Sequence, residues 1–132
     1  MSTTANTDRD MTADTAASWA SSVAFRSFAT VFAIVTPVIY TICEMRNWPL
    51  FTYHPGTNRV DLFWAAAVKD EGPAMYWYGW TATTLIVAGV LGLLATKLPE
   101  STMKKIPLSL TWITSLAAIP VLIYALRFFW RW

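Results

Sequence analysis

The stretch that decides the fold is residues 72–96, GPAMYWYGWTATTLIVAGVLGLLAT, which lies between Glu71 and Lys97 and contains no charged side chain. A helix that crosses the hydrocarbon core of a bilayer needs about 20 apolar residues, each of which adds about 1.5 Å. Backbone groups in lipid must find their hydrogen-bond partners inside the segment, so such a run is helical rather than extended. The run therefore predicts a membrane-spanning helix.

Two further segments, residues 27–43 and 106–126, also lack charged side chains. The core of the first, FATVFAIVTPVIYTI, is apolar on every side, whereas a helix of a soluble protein is apolar on one face. We therefore expect an all-α integral membrane protein with three transmembrane helices. The expected spans are about residues 26–43, 75–96 and 106–127.

The composition favours a membrane protein over a soluble enzyme or a disordered chain. The 132 residues are 55% hydrophobic and 14% charged, and the mean hydropathy is +0.41. An average soluble domain is about a quarter charged. Too little polar chain remains to surround three buried apolar helices. The net charge of +2 is small and scattered, which does not indicate a nucleic-acid partner.

Aromatic residues lie where the chain is expected to cross the membrane–water boundary. They open the second span, follow the third span, and occur in the connection between the first two spans. We expect them to anchor the protein at the interface; a platform for a pigment or a quinone is the alternative. The expected anchors are Trp48, Trp64, Trp77, Trp80, Trp130 and Trp132.

The segments outside the spans differ in character. Residues 1–22 are rich in Ser, Thr, Ala and Asp and lack the pattern of a secretory signal peptide, so we expect a flexible polar tail before a membrane domain of residues 23–132. Residues 97–105 form a short polar turn, which predicts that the second and third spans are antiparallel neighbours.

The connection formed by residues 44–74 is too apolar for a solvated loop, and its tract HPGTN at 54–58 is a turn signal. Asp61 is placed to cap a helix from Leu62 to about Lys69, which the Gly-Pro pair at 72–73 would end. We expect this short helix to lie flat at the interface; the alternative is an irregular loop packed on a partner protein, and both keep the segment on the membrane surface.

The orientation of the chain in the membrane can be predicted only from where basic residues are concentrated, because their totals on the two sides are equal. Three spans put the N-terminal tail and the 97–105 turn on one side, and Lys and Arg divide equally between the two sides. Three lysines are concentrated in the turn, so we expect the turn and the N-terminus to be cytoplasmic.

His54 is the single histidine and the first candidate for chemistry. A neutral imidazole can ligate a haem, a chlorin or a metal ion. One histidine and one cysteine, Cys43, offer no spacing typical of a metal cluster, and no catalytic triad or phosphate-binding loop is present. We therefore expect no enzymatic activity and no metal site; no cofactor is required, and His54 is the candidate ligand for a single-ligand pigment or haem.

Small residues in the second span predict close helix contact. Ala88 and Gly92 are one turn apart, with Gly89 beside them, and small residues let helix backbones approach closely in lipid. The partner helix belongs either to this chain or to another subunit.

These observations favour one function over two alternatives. We expect a multi-pass accessory or structural subunit of a membrane protein complex, energy-transducing or transport, that acts by helix packing and docking against the bilayer and other membrane subunits. The expected spans contain no ionisable residue in their interiors, which counts against a self-contained pump. The first alternative is a pigment, quinone or haem carrier that uses the aromatic rim and His54. The second is a small homo-oligomeric channel or carrier.

Overall fold

The structure is a computed structural model that describes residues 21–69 and 71–127. Most of the expected polar tail and the anchors Trp130 and Trp132 therefore lie outside the described residues. The elements follow the order α1 (Val23–Arg46), β1 (Phe51–His54), β2 (Arg59–Leu62), α2 (Trp77–Ala95), α3 (Glu100–Met103) and α4 (Ser109–Ala125).

Helix α1 begins and ends with side chains suited to those positions. The Ser22 hydroxyl accepts a hydrogen bond from the Phe25 backbone N–H at 3.2 Å, which satisfies a donor that the first turn leaves free. At the other end Asn47 takes a left-handed conformation with φ of 51°, and the Trp48 N–H donates to the Cys43 carbonyl at 2.9 Å. This cap turns the chain from the helix into the hairpin.

Helices α1 and α2 form an antiparallel pair. Phe28, near the start of α1, lies against Gly92 near the end of α2. Cys43, near the end of α1, lies beside Thr84 in the first half of α2. The buried face of α2 is narrow and consists of small residues, so the two backbones approach closely.

Helices α1 and α2 are each long and apolar enough to cross a membrane, and their large apolar side chains point outward. In α2, Leu93 is 62% exposed and Ile86 is 54% exposed, while the interior holds Gly and Ala. A soluble bundle has the opposite arrangement. Helix α4 is apolar but has 17 residues, so two candidate spans are present in the described chain and the third expected span is not confirmed.

The expected helix from Leu62 to about Lys69 does not form, and the all-α class is confirmed only in part, because a small two-stranded sheet accompanies the helices. The chain is mostly helical, but residues 51–62 form an antiparallel hairpin in which Phe51 pairs with Leu62. Residues 64–68 have no regular structure. The physical reason is the Thr52 hydroxyl, which donates to the Phe63 carbonyl at 2.8 Å and accepts the Ala65 N–H at 3.2 Å. These bonds occupy backbone groups that the first turn of a helix would need.

The hairpin is fixed to the start of α2 by backbone hydrogen bonds. The Leu50 N–H donates to the Gly79 carbonyl at 3.1 Å, and Tyr53 and Met75 exchange two bonds at 3.3 and 2.8 Å. Gly79 is required at this contact, because a Cβ there would overlap the Phe51 carbonyl oxygen. The connection between the two long helices is therefore a folded cap rather than a loop.

Candidate functional site

The hairpin carries an ionic cluster formed by His54, Arg59, Asp61 and Glu71. The His54 Nε2 lies 3.2 Å from Asp61 Oδ2, and its Nδ1 lies 3.4 Å from Glu71 Oε2. Arg59 joins the same two carboxylates, at 2.7 Å to Asp61 and 2.6 Å to Glu71. One imidazole is thus placed between two carboxylates that a guanidinium connects on its outer side.

The strand register brings these side chains together. His54 ends β1 and pairs with Arg59, the first residue of β2. Arg59 and Asp61 are two residues apart, so both side chains project from the same face of the strand. Glu71 is held beside the turn by its carbonyl, which accepts the Gly56 N–H at 2.9 Å, and by its carboxylate, which accepts the Val68 N–H at 3.0 Å.

Burial within the ionic cluster is uneven. The side chain of His54 is 0% exposed and that of Glu71 is 7% exposed, whereas Asp61 and Arg59 are 32% and 44% exposed. Buried charges are tolerated when they are paired, and here each buried group faces a partner of ionisable type. Neither ring nitrogen of His54 has an aligned hydrogen bond, so the carboxylates lie close to the ring without hydrogen-bonding to it.

This geometry bears on the candidate ligand role of His54. Asp61 and Glu71 face opposite nitrogens of the ring, so one cation cannot contact the imidazole and both carboxylates together. A haem or pigment metal would have to displace one carboxylate from its ring nitrogen. Within residues 21–69 and 71–127, no group of three His, Cys, Asp or Glu residues is arranged to hold a metal ion. The ligand role of His54 stays a prediction.

The small residues singled out in α2 lie on two different faces. Ala88 is 0% exposed, and a Cβ added at Gly92 would lie 2.8 Å from the Phe28 ring, so both lie at the contact with α1. A Cβ added at Gly89 would meet nothing within 4 Å. The close contact at Ala88 and Gly92 is therefore made inside this chain, and Gly89 does not take part in it.

The described tryptophan anchors all lie at the hairpin end of the helix pair. Trp48, Trp64 and Trp77 are 62%, 56% and 48% exposed, while Trp80 is partly buried and stacks on Tyr76 with ring centroids 6.3 Å apart. Beside them is a short hydrophobic ridge, which we define as Leu62, Phe63 and Trp64.

A crevice of about 640 Å³ lies between α1, α2 and α4. Its wall is mostly apolar and includes Phe32, Ala33, Thr36, Leu85, Ala118 and Leu122. The Thr36, Thr84 and Ser115 hydroxyls on the wall donate to carbonyls one turn earlier in their own helices, at 2.7, 2.8 and 3.0 Å. These three hydroxyls are therefore engaged within their own helices, and most of the wall offers apolar contact; His54 is not among its lining residues.

None of the sequence patterns described above predicts the ionic cluster. Asp61 is expected there as a helix cap, and Glu71 only borders the uncharged run. One sequence signal for the ionic cluster was available: residues 59–62, RVDL, alternate between polar and apolar side chains, as a strand does. This alternation places Arg59 and Asp61 on one face of the strand, near the only histidine. Glu71 carried no such signal, because only the folded backbone brings it to the turn.

Comparisons with known proteins do not add a relative to these observations. No protein-family model, curated protein or solved structure matches the chain.

Proposed function

We propose that the protein is an accessory, structural subunit of a larger membrane complex and that the hydrophobic ridge is its docking surface. The observation that carries the proposal is the backbone of Phe63, which has φ of 62° although its side chain is bulky and 67% exposed. The left-handed conformation costs a residue with a Cβ about 1–2 kcal/mol.

Local bonds hold Phe63 in this strained state. Its N–H donates to the Leu50 carbonyl at 2.9 Å, and its carbonyl accepts the Thr52 hydroxyl at 2.8 Å. Glycine would take the same backbone conformation without the cost. The aromatic side chain gains little burial within this chain, and strain of this kind is concentrated at binding sites. A partner that covers Phe63 accounts for an aromatic residue at this position.

The second support is the surface of α4. Every residue of this helix is described and none is buried; Trp112 is 72% exposed and Leu116 is 63% exposed. We propose that α4 is the third span and that it meets lipid on one side and a neighbouring subunit on another. Small residues and apolar side chains supply such contacts without any ionisable group.

Replacement of Phe63 by Gly tests the docking role. We expect Phe63→Gly to raise the free energy of unfolding by about 1 kcal/mol, because the strain is released, and at the same time to reduce the yield of co-purified membrane subunits. The measurement is native co-purification in mild detergent, followed by mass spectrometry, together with denaturant unfolding of the isolated chain.

The matched control is Leu93→Ala, which truncates an exposed apolar side chain in the middle of α2. We expect it to leave the same partners bound. If Phe63→Gly retains its partners at the wild-type level, or if the wild-type chain purifies alone, the subunit proposal is wrong.

Orientation is a separate part of the proposal. We place the N-terminus and the 97–105 turn in the cytoplasm, because three lysines are concentrated in that turn. A cysteine introduced at Ser101 is then expected to react with a membrane-impermeant reagent only after the cytoplasmic face is opened, and one at Thr57 in intact cells. Both sites are exposed, and Cys43 is buried. The reverse pattern would invert the orientation.

The crevice favours one second candidate, a carrier of a lipid-soluble pigment or quinone. Its volume of about 640 Å³ and its apolar wall suit a hydrocarbon group drawn from the bilayer. Solvent extraction and an absorption spectrum of the purified protein separate the two functions. A pigment or quinone close to one per chain supports the carrier, and lipid alone supports the subunit.

A further inference from the structure

A second cavity, separate from the crevice, lies at the end of the helix pair opposite the hairpin. It is formed where α1 begins and where the 97–105 turn leads into α4, and its volume is about 180 Å³. Pockets that enclose a drug-sized molecule have about 300–1,000 Å³. This cavity therefore suits one small polar group rather than a whole lipid or cofactor.

The wall of this cavity carries more positive than negative charge. Arg26 from α1 and Lys104 from the turn both line it, together with Glu100. Lys104 pairs with Glu100 at 3.1 Å, whereas Arg26 makes no ion pair in the described part of the chain. A guanidinium without a carboxylate partner is free to bind an anion, and its planar fork matches the oxygens of a phosphate.

Two hydroxyls on the same wall, those of Ser27 and Thr30, make no hydrogen bond within residues 21–69 and 71–127. Further along α1, the Thr36 and Thr41 hydroxyls donate to carbonyls one turn earlier, at 2.7 and 2.8 Å. Ser27 is only 3% exposed, and buried polar groups in native proteins are normally paired. Its unpaired hydroxyl is therefore available to donate to a group that enters the cavity.

Apolar side chains complete the wall and continue onto the outside of the helices. Val23, at the start of α1, and Leu108, just before α4, line the cavity and are 45% and 69% exposed. A free phosphate ion gains nothing from these side chains, whereas hydrocarbon chains gain free energy by covering them. The combination of a charged cavity with an apolar border is that of a site for an amphiphile with an anionic head.

We propose that this cavity binds the headgroup phosphate of an anionic phospholipid. Arg26 and Lys104 bind the phosphate, the Ser27 hydroxyl donates to it, and the acyl chains run along Val23 and Leu108. Basic pockets between helices at the cytoplasmic surface of a membrane are typical sites for such headgroups. The inference rests on the membrane location within the proposed function, but it is independent of docking at the hydrophobic ridge.

Native mass spectrometry of the purified full chain in detergent micelles tests the site. The probes are phosphatidylglycerol and phosphatidylcholine with the same acyl chains. We expect one phosphatidylglycerol per chain to be retained in preference to phosphatidylcholine, because the choline cation is repelled by the basic wall. We expect Arg26→Gln to weaken phosphatidylglycerol binding about fivefold. Glu100→Gln removes the negative charge from the wall and is expected to strengthen it.

Lys105→Gln is the matched control for Arg26→Gln. It removes the same charge from the same end of the helices, but Lys105 does not line the cavity, so we expect a smaller loss of binding. Ser27→Ala gives an independent comparison, and we expect it to weaken binding about threefold through the loss of one hydrogen bond.

Three results would overturn the proposal. The first is a wild-type chain that does not prefer phosphatidylglycerol, and the second is an equal loss of binding in Arg26→Gln and Lys105→Gln. The third is displacement of the lipid by an equal concentration of inorganic phosphate, which would assign the cavity to a free anion. Any of these results, with the co-purified subunits retained, would leave the proposed subunit role standing.

Discussion

Gly79→Ala is expected to detach the hairpin from α2 and to destabilise the protein strongly. The added Cβ would overlap the Phe51 carbonyl oxygen and would lie 2.6 Å from the Pro49 Cβ. Neither obstacle is the end of a flexible side chain. Overpacking of a rigid contact costs about 1–3 kcal/mol and occasionally more, and we expect the upper end of that range here.

The damage caused by Gly79→Ala is expected at the contact between the hairpin and α2, where amide protection can detect it. The Leu50 N–H donates to the Gly79 carbonyl at 3.1 Å, so amide protection at Leu50 is expected to fall together with the free energy of unfolding. Gly89→Ala, in the same helix, is the control, because its Cβ would meet nothing within 4 Å. Equal stability of the two variants would show that the hairpin does not rest on Gly79 as described.

Gly92→Leu is expected to force α1 and α2 apart. Its Cβ would lie 2.8 and 2.9 Å from two atoms of the Phe28 ring and 3.3 Å from the Phe28 carbonyl oxygen. The ring has little freedom to turn away, because it is stacked on Phe32 with centroids 5.5 Å apart. We expect a loss of about 1–3 kcal/mol in the free energy of unfolding, measured by denaturant titration in mixed micelles.

Gly89→Leu is the matched control for Gly92→Leu, because it separates the lost helix contact from the gain in helix propensity. Both variants replace helical Gly with Leu and gain about the same helix propensity, up to about 1 kcal/mol. Only position 92 faces α1, so the difference between the two variants measures the helix contact. If Gly92→Leu is as stable as Gly89→Leu, the close approach of α1 and α2 is not present in the membrane.

The long helices were predictable because long apolar runs without charge favour a helix, the structure in which backbone groups find their hydrogen-bond partners within the segment. The observed α1 and α2 match the first two expected spans to within a few residues. Helix α4 lies inside the third expected span, but its 17 residues leave the crossing itself a prediction.

The hairpin was not predictable from the patterns that were used. The segment 62–69 has the apolar content of a helix, but its start is engaged by contacts from distant residues: Leu62 pairs with Phe51, and the Thr52 hydroxyl binds the Phe63 carbonyl and the Ala65 N–H. The ionic cluster likewise depends on long-range contacts, since Glu71 lies beside His54 only because the folded backbone brings residue 71 to the hairpin turn. The secondary-structure propensities of the individual residues do not encode such long-range contacts.

The loose attachment of α4 has a consequence for how the molecule responds to its surroundings. No residue of helix α4 is buried, and the helix packs against α1, whereas the hairpin packs against the start of α2 and the segment before it. A change in bilayer thickness or the exchange of one neighbour for another can therefore tilt α4 without disturbing His54 and its carboxylates. We therefore expect the hairpin end to keep one geometry while α4 adjusts to whatever lies beside it.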